Sequence, residues 1–249
     1  MNAIAFAGLW KKEWSLMKGY YIALALFNLL WMGLAPALIQ SEPYIMTASI
    51  LLILHLFYLS ALLMYSFNRE ADQLELALHS PRTGYMIAGV KVLQSFTVFL
   101  GSLMLVSIAG ILTARVDLIL TWTELVGVFS RMGVYITGYS LSLAIILFFL
   151  WTVHQLLKKY IGGISLFVCI VLFFAIAASL TWIQGTDVYE SLTSFVPFAY
   201  SYDLESPEGM IYMSFGVDAL SVGDLVFFLM LNALFFLSGC WVLDRKVEV

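Results

Sequence analysis

The sequence predicts an all-α membrane protein whose chain crosses the bilayer six times. Of its 249 residues, 62% are hydrophobic and only 11% are charged, and its mean hydropathy is +0.96. Soluble domains carry roughly 25% charged residues, so this composition cannot cover a surface that faces water on every side. The apolar residues also fall in long runs, each sufficient for a helix to cross a ~30 Å hydrocarbon layer at ~1.5 Å per residue.

These runs define six predicted spans within one transmembrane domain, residues 1–249. The spans cover residues 20–39, 44–67, 86–112, 126–153, 160–183 and 223–243. An N-terminal helix (1–19), a charged segment (68–85) and an acidic segment (184–222) flank or interrupt them.

Residues 1–19 are expected to form an amphipathic helix in the lipid headgroup layer. Phe6, Trp10, Trp14 and Met17 recur at steps of three to four residues and so share one helix face. Tryptophan and lysine side chains are typical of such interfacial helices. We assign to this helix Phe6, Trp10, Lys11, Lys12, Glu13 and Trp14. The open alternative is a simple aromatic and basic flank to the first span.

The charged segment reads NREADQLELALHSPRTGY and must lie in water at one membrane face. Within it Leu74, Leu76, Ala77 and Leu78 can give a short helix an apolar side, whereas Glu70, Asp72 and Glu75 keep the rest hydrated. Ser80-Pro81 then ends the helix. The pattern favours a docking element and an ordinary solvated loop equally.

The basic residues predict the orientation, because cationic loops are retained in the cytoplasm. A cytoplasmic N-terminus leaves only Arg115 and Arg131, of 12 Lys and Arg residues, toward the exterior. Both chain ends are then cytoplasmic, and the exterior segment 184–222 contains acidic residues without Lys or Arg. The net charge of -4 gives no support for a nucleic-acid partner.

Ionisable residues inside spans are the default functional candidates in a membrane protein, and they are scarce in this one. We place His55 near mid-span as a hydrogen-bonded packing residue, and Lys91 near enough to the inner face to snorkel. Glu124 and Arg131 are interpreted as charge anchors at the outer mouth. No Asp or Glu is expected deep in a span, which weighs against a proton-coupled carrier.

Catalytic, cofactor-binding and metal-binding residues are not predicted. The spans contain no recognisable protease constellation and no HExxH pair. Gly84 and Gly89-Val-Lys91 fail the spacing of a phosphate-binding loop, in which Lys directly follows the second Gly. We therefore expect a non-catalytic chain without ATP-binding machinery of its own.

Several further residues are expected to serve packing. Asn28 and Asn232 are predicted to bridge helices by hydrogen bonds. Small residues spaced by four are predicted to allow close helix approach: Gly110 with Ala114, Gly138 with Ser142, and Ala175 with Ser179. Cys169 and Cys240 fall in different spans at different depths, so we expect small apolar residues rather than a disulfide.

The order of elements resembles the ABC-2 type permease family across nearly the whole chain. The most telling local likeness is Glu70-Ala-Asp-Gln-Leu-Glu-Leu-Ala-Leu-His-Ser-Pro81 with Gly84 and Gly89-Val-Lys91, which is similar to the coupling segment between the second and third spans of that family. The size and the Leu-Trp-Lys-Lys-Glu-Trp opening further resemble the small permeases of Gram-positive bacteria that export peptides, including phenol-soluble modulin exporters.

The resemblance implies one subunit of an ATP-driven exporter in a bacterial plasma membrane. A separate cytoplasmic ABC ATPase would carry ATP and Mg and dock on the coupling segment and the N-terminal helix. The coupling residues implied are Arg69, Glu70, Asp72, Leu74, Glu75, Leu78, His79, Ser80 and Pro81. A second permease, identical or related, would complete the complex. Short helices partly re-entering the membrane are implied in the exterior segment, with residues 192–200 as a plausible piece.

Spans rich in Phe, Tyr, Met and Leu agree with an apolar or amphipathic substrate, although such side chains also suit lipid and neighbouring helices. Two other classes stay open: an ion-coupled secondary carrier, and a membrane scaffold or sensor that transports nothing. Dependence on ATP separates the exporter from the carrier, and purification with an ATPase separates it from both.

Overall fold

The computed structural model describes residues 3–38, 44–70, 84–117, 121–195, 197–205 and 212–246. These residues form seven α-helices and one two-stranded sheet. The elements in chain order are α1 (Ala3–Leu38), α2 (Tyr44–Glu70), α3 (Gly84–Asp117), α4 (Trp122–Ile161), α5 (Ile164–Gln184), α6 (Asp187–Thr193), β1 (Pro197–Glu205), β2 (Tyr212–Ser221) and α7 (Val222–Lys246).

Six of these helices are long and apolar enough to cross a membrane, which indicates a multi-pass membrane protein. The candidate spans are Ile4–Leu34, Thr47–Arg69, Gly84–Arg115, Trp122–Ile161, Ile164–Gln184 and Val222–Asp244. Each corresponds to one span predicted from the sequence, and the fourth, Trp122–Ile161, also includes the first two residues of the predicted fifth span. Hydroxyl groups within them, such as Thr97 and Thr137, donate to carbonyl oxygens four residues earlier (2.8 and 2.6 Å), so they are satisfied without water.

α1 is one continuous helix where the sequence suggested an interfacial helix followed by a separate span. Gly19 lies at the expected boundary, but a single glycine costs a helix only about 1 kcal/mol relative to alanine, and no proline precedes Pro36. At ~1.5 Å per residue the 36 residues measure ~54 Å, well beyond the ~30 Å hydrocarbon layer. The membrane depth of the first turns stays a prediction.

The buried stripe of α1 differs from the predicted aromatic face. Leu9, Glu13, Met17 and Tyr21 recur every four residues and are all buried, whereas Trp14 is 48% exposed. Met17 and Tyr21 pack with Leu62 of α2. Of the predicted Phe6–Trp10–Trp14–Met17 face only Met17 belongs to this buried stripe, and the placement of that face in the headgroup layer stays a prediction.

α4 begins with a capping box and ends at a glycine. The Glu124 carboxylate accepts hydrogen bonds from the backbone N–H and the hydroxyl of Thr121, both at 2.8 Å, which satisfies groups at the helix start. At the other end Gly162 takes a positive φ of 56° and its N–H donates to the Lys158 carbonyl. The helix thus extends to Ile161, eight residues beyond the predicted end of the fourth span.

The segment after α5 departs from the all-α expectation. The short helix α6 ends at Thr193, and β1 then covers Pro197 to Glu205, where re-entrant helix was implied for residues 192–200. The sequences explain the strands: Phe198, Tyr200, Tyr202 and Leu204 alternate with smaller or polar residues, and β2 alternates similarly from Met213 to Ala219.

The chain divides into two compact units. The first comprises Met1–Ser66, Val90–Leu141 and Ser201–Gly216. Within it a Cβ on Gly110 would overlap the Phe129 ring and press on Ala48, so glycine permits the predicted close approach of helices.

The second unit comprises Phe67–Gly89, Ser142–Tyr200 and Val217–Val249. The Phe148 ring packs between Phe67 and Phe236, with centroids 5.0 and 5.8 Å away. Asn232 Nδ2 donates to Ser142 Oγ at 3.0 Å, which confirms that this asparagine bridges helices. Cys169 and Cys240 are both free and buried, so the expectation of no disulfide between them is confirmed.

In the second unit α6 docks on the start of α7. The Tyr189 hydroxyl donates to Asp224 Oδ1 at 2.6 Å, and the Ser221 hydroxyl lies within hydrogen-bond distance of the Thr193 carbonyl. A Cβ on Gly223 would collide with the Thr193 backbone. Burial, the hydrogen bond to Asp224 and its negative charge together raise the pKa of Tyr189 to about 12.

Candidate functional site: buried polar clusters on the first three helices

Glu13, Ser66 and Lys91 form a buried polar cluster in the first unit. They come from α1, the last turns of α2 and the second turn of α3, respectively. The side chains of Lys91 and Glu13 are only 3% and 6% exposed, and Ser66 is buried as well. We call this the ion-pair cluster.

The donors and acceptors of the ion-pair cluster match one another. Lys91 Nζ lies 2.8 Å from Glu13 Oε2, 2.7 Å from Ser66 Oγ and 3.2 Å from the Ser66 carbonyl oxygen. The Ser66 hydroxyl in turn donates to Glu13 Oε1. A lysine ammonium has three N–H donors, so each donor has an acceptor, and both carboxylate oxygens are used.

Complete pairing makes this buried charge tolerable. Moving an isolated ion out of water costs several kcal/mol, and an ion pair offsets this cost only with good geometry and satisfied lone pairs. Removing one partner from a buried pair typically costs about 3–5 kcal/mol because the other charge is left uncompensated. The cluster therefore constrains three helices to meet at one level.

This cluster corrects one expectation from the sequence. Lys91 does not snorkel to water, and it pairs with Glu13, a residue that the sequence assigned only to the N-terminal helix. Glu13 is a buried carboxylate within the first candidate span, Ile4–Leu34, which begins well before the predicted first span, 20–39. The sequence signal was partial: Lys91 lies among apolar residues and so favours an acidic partner, whereas Glu13 directly follows Lys11 and Lys12.

A second cluster links the same three helices through neutral groups. Asn28 of α1 and His55 of α2 are fully buried, and Tyr58 and Ser102 are partly buried. Asn28 Nδ2 donates to Ser102 Oγ at 2.7 Å, and the Tyr58 hydroxyl donates to Asn28 Oδ1 at 3.3 Å. The predicted bridging role of Asn28 is confirmed. We call this the histidine cluster.

The histidine cluster fits one assignment of protons. His55 Nδ1 lies 2.6 Å from the Leu51 carbonyl oxygen, which can only accept, so Nδ1 carries the proton. His55 Nε2 then accepts from the Ser102 hydroxyl at 2.9 Å, and that oxygen accepts from Asn28. The histidine is neutral in this arrangement, and the predicted role as a hydrogen-bonded packing residue is confirmed.

The ion-pair cluster and the histidine cluster connect helices and present no reactive centre. In the part of the chain that the structure describes, no group of three His, Cys, Asp or Glu residues could hold a metal ion. Both clusters are closed by hydrogen bonds among their own members, so neither presents an activated nucleophile.

The predicted coupling residues fall mostly beyond the described ranges. Arg69 is exposed near the end of α2, and Glu70 is the last residue of that helix. The others lie outside the described residues: Asp72, Leu74, Glu75, Leu78, His79, Ser80 and Pro81. Their role stays a prediction.

The predicted interfacial residues are distributed around α1. Lys11, Lys12 and Trp14 are exposed, whereas Phe6 and Trp10 are half-buried and stack on each other with centroids 6.2 Å apart. Exposed lysine and tryptophan are compatible with a headgroup environment, and Glu13 belongs to the ion-pair cluster instead.

Comparison with known proteins does not identify a family. No family model matches the chain, and neither a curated protein nor a solved structure matches it.

Proposed function

We propose that the chain is the membrane subunit of an ATP-driven ABC-2 type exporter. A separate cytoplasmic ATPase hydrolyses ATP, and two permease subunits move an apolar or amphipathic substrate, such as a peptide, out of the cell. The proposal rests on the order of elements, the absence of a nucleotide-binding motif in the sequence, and six apolar helices of spanning length.

The ion-pair cluster is the observation that carries this proposal. Ser66 lies two residues before the charged segment 68–85, and Lys91 lies six residues after it. Both bind Glu13 of the N-terminal helix. The ion-pair cluster thus connects α2 and α3 to α1 at positions that are close in sequence to the charged segment.

This connection would allow a displacement of the charged segment to reach all three helices. A partner that displaces the segment 68–85 would pull on α2 and α3 together, because both helices are continuous through Ser66 and Lys91. The ion-pair cluster would carry the displacement into α1, since separating its members exposes unpaired buried charge.

Reconstitution into vesicles with a P-loop ATPase that copurifies with this chain tests the proposal. A fluorescent amphipathic peptide should accumulate on the side away from the ATPase when ATP is present. Accumulation should stop when the catalytic carboxylate of the ATPase is neutralised. Accumulation that persists without ATP would contradict the proposal.

A pair of charge reversals tests the docking segment. Glu75→Lys should weaken ATPase association and ATP-dependent transport, because it reverses charge in the predicted docking element. Glu190→Lys makes the same change on exposed α6 and should leave both unchanged. Equal effects from the two variants would refute the docking assignment.

The histidine cluster is the observation that favours an ion-coupled carrier as the second candidate. His55 is a titratable group buried within a candidate span and joined by hydrogen bonds to Ser102 and, through it, Asn28. Peptide uptake driven by a pH gradient in the absence of the ATPase, and lost in His55→Gln, would establish this alternative.

A further inference from the structure

An apolar groove runs between α3 and α4 in the first unit. Its volume is about 550 Å³, and its walls are α3 residues between Leu100 and Ile111 and α4 residues between Val126 and Thr137. Met104, Ile108 and Val134 within these walls are 63%, 60% and 65% exposed. The groove is therefore open to whatever surrounds the helices.

The length of the groove matches one leaflet of a bilayer. Each wall extends over 11 residue steps, which is ~17 Å along a helix at ~1.5 Å per residue. Half of a ~30 Å hydrocarbon layer is ~15 Å. An occupant that follows the groove would traverse one leaflet and stop.

The groove offers few polar groups to an extended peptide. Three hydroxyls line it: those of Ser130 and Thr137 donate to their own helix, to the Gly127 and Gly133 carbonyls at 3.0 and 2.6 Å, and the third is that of Ser107. An extended peptide would bring unpaired backbone groups into this apolar surface. A helical peptide would lie mostly outside the groove, because about 550 Å³ over ~17 Å corresponds to a cross-section of roughly 30 Å² against about 80 Å² for a ~10 Å helix.

The end of the groove carries a cation beside a tryptophan. Arg115 lies one helical turn beyond Ile111, and Trp122 lies one turn before Val126. The Arg115 guanidinium carbon is 5.8 Å from the Trp122 ring centroid, and both residues are exposed. Tryptophan favours the headgroup level, and an arginine guanidinium matches the geometry of a phosphate group.

We propose that this groove binds one acyl chain of an anionic phospholipid, with the phosphate at Arg115 and the headgroup beside Trp122. The apolar walls, their one-leaflet length and the cation at one end together match an amphiphile with a long hydrocarbon chain and a negative head. The assignment is independent of ATP-driven export.

Quenching of Trp122 fluorescence by brominated lipid tests the site. The chain is reconstituted with phosphatidylglycerol or phosphatidylcholine brominated on the upper part of one acyl chain. The fluorescence of Trp122 is obtained by subtracting the fluorescence of the Trp122→Phe variant. We expect stronger quenching by the phosphatidylglycerol at equal mole fraction. Arg115→Gln should abolish this preference, whereas Arg69→Gln on another helix should preserve it. Equal quenching by both lipids, or a preference that survives Arg115→Gln, would overturn the proposal.

Filling the groove provides a second readout. Gly133 lines the groove and Gly138 does not, and neither has an atom within 4 Å of an added Cβ. Gly133→Leu should lower the phospholipid phosphorus retained after detergent washing at least twofold, while Gly138→Leu should not. Equal retention would contradict acyl-chain binding. Loss of lipid quenching on addition of an amphipathic peptide, without loss of retained phosphorus, would assign the groove to peptide instead.

Discussion

Lys91 Nζ lies 2.8 Å from Glu13 Oε2 although 78 residues separate the two positions in the chain. The pair is buried and is completed by Ser66. Ion pairs of this kind specify which helices meet, because any other pairing leaves a charge uncompensated in a region without water. The contact therefore constrains the first three helices more tightly than apolar packing alone.

Removal of one charge should be more damaging than removal of both. Glu13→Gln or Lys91→Met should lower the free energy of unfolding in detergent by about 3–5 kcal/mol, because the remaining charge is buried without its partner. The double variant Glu13→Met, Lys91→Met should lose less than either single variant. Lys18→Met, at an exposed position of α1, is the control and should change little. Additive losses in the double variant would show that the two residues act independently.

The histidine cluster predicts that loss of the Ser102 hydroxyl destabilises the protein more than loss of the Ser130 hydroxyl. Ser102→Ala should cost about 1–2 kcal/mol in an unfolding titration, because both His55 Nε2 and Asn28 Nδ2 lose their partner. Ser130→Ala removes a hydroxyl that bonds only within its own helix and should be nearly neutral. Comparable losses for the two variants would argue against a cluster that joins helices.

Close packing at Gly110 can be tested on the same helix. Gly110→Val places methyl groups against Phe129 and Ala48 and should destabilise the protein by about 1–3 kcal/mol through overpacking. Gly101 has open space around it, so Gly101→Val should be tolerated. Thermal unfolding in detergent compares the two variants. A melting temperature that is lower for Gly101→Val than for Gly110→Val would contradict the prediction.

The docking of α6 on α7 should weaken in strong alkali. The pKa of Tyr189 is raised from 10.0 to about 12, so the folded state holds the phenol proton more tightly than the unfolded state. This contribution is complete below pH 10 and is lost as the pH rises through about 12. Stability should therefore fall more steeply for the wild type than for Tyr189→Phe across that interval. Parallel pH profiles would exclude a role for this tyrosine.

The sequence predicted the parts of the fold that follow from local pattern. Six spans were evident because apolar runs of spanning length have few alternatives in water. Asn28 was identified as a bridging residue because an amide in lipid needs a hydrogen-bond partner. The spacing of small residues was less decisive, because an added Cβ would meet Phe129 at Gly110 but nothing within 4 Å at Gly138. The Gly162-Gly163 turn was missed because the polar residues within 154–159 indicated a loop between the fourth and fifth spans, although paired glycines favour a turn.

Contacts between residues that are distant in sequence could not be predicted from local pattern. The pattern of α1 allowed Glu13 to face water or a partner, and only the positions of Ser66 and Lys91 decide between them. The strands were missed for a different reason. The alternation from Phe198 to Leu204 is a strand signal, but it was interpreted within an all-helical membrane fold.

The orientation of the chain determines which end of each helix meets the cytoplasm. A background with Cys169 and Cys240 replaced by alanine removes both native thiols, and these are buried, so the replacement should be tolerated. Lys11→Cys and Glu190→Cys then place single thiols at exposed positions on α1 and α6. If the N-terminus is cytoplasmic, an impermeant maleimide should label position 11 only in inverted vesicles and position 190 only in right-side-out vesicles.

The opposite pattern would place the segment 68–85 outside the cell, where a cytoplasmic ATPase could not reach it. Labelling of both positions from one side would instead require an even number of membrane crossings between them, contrary to the five spans expected.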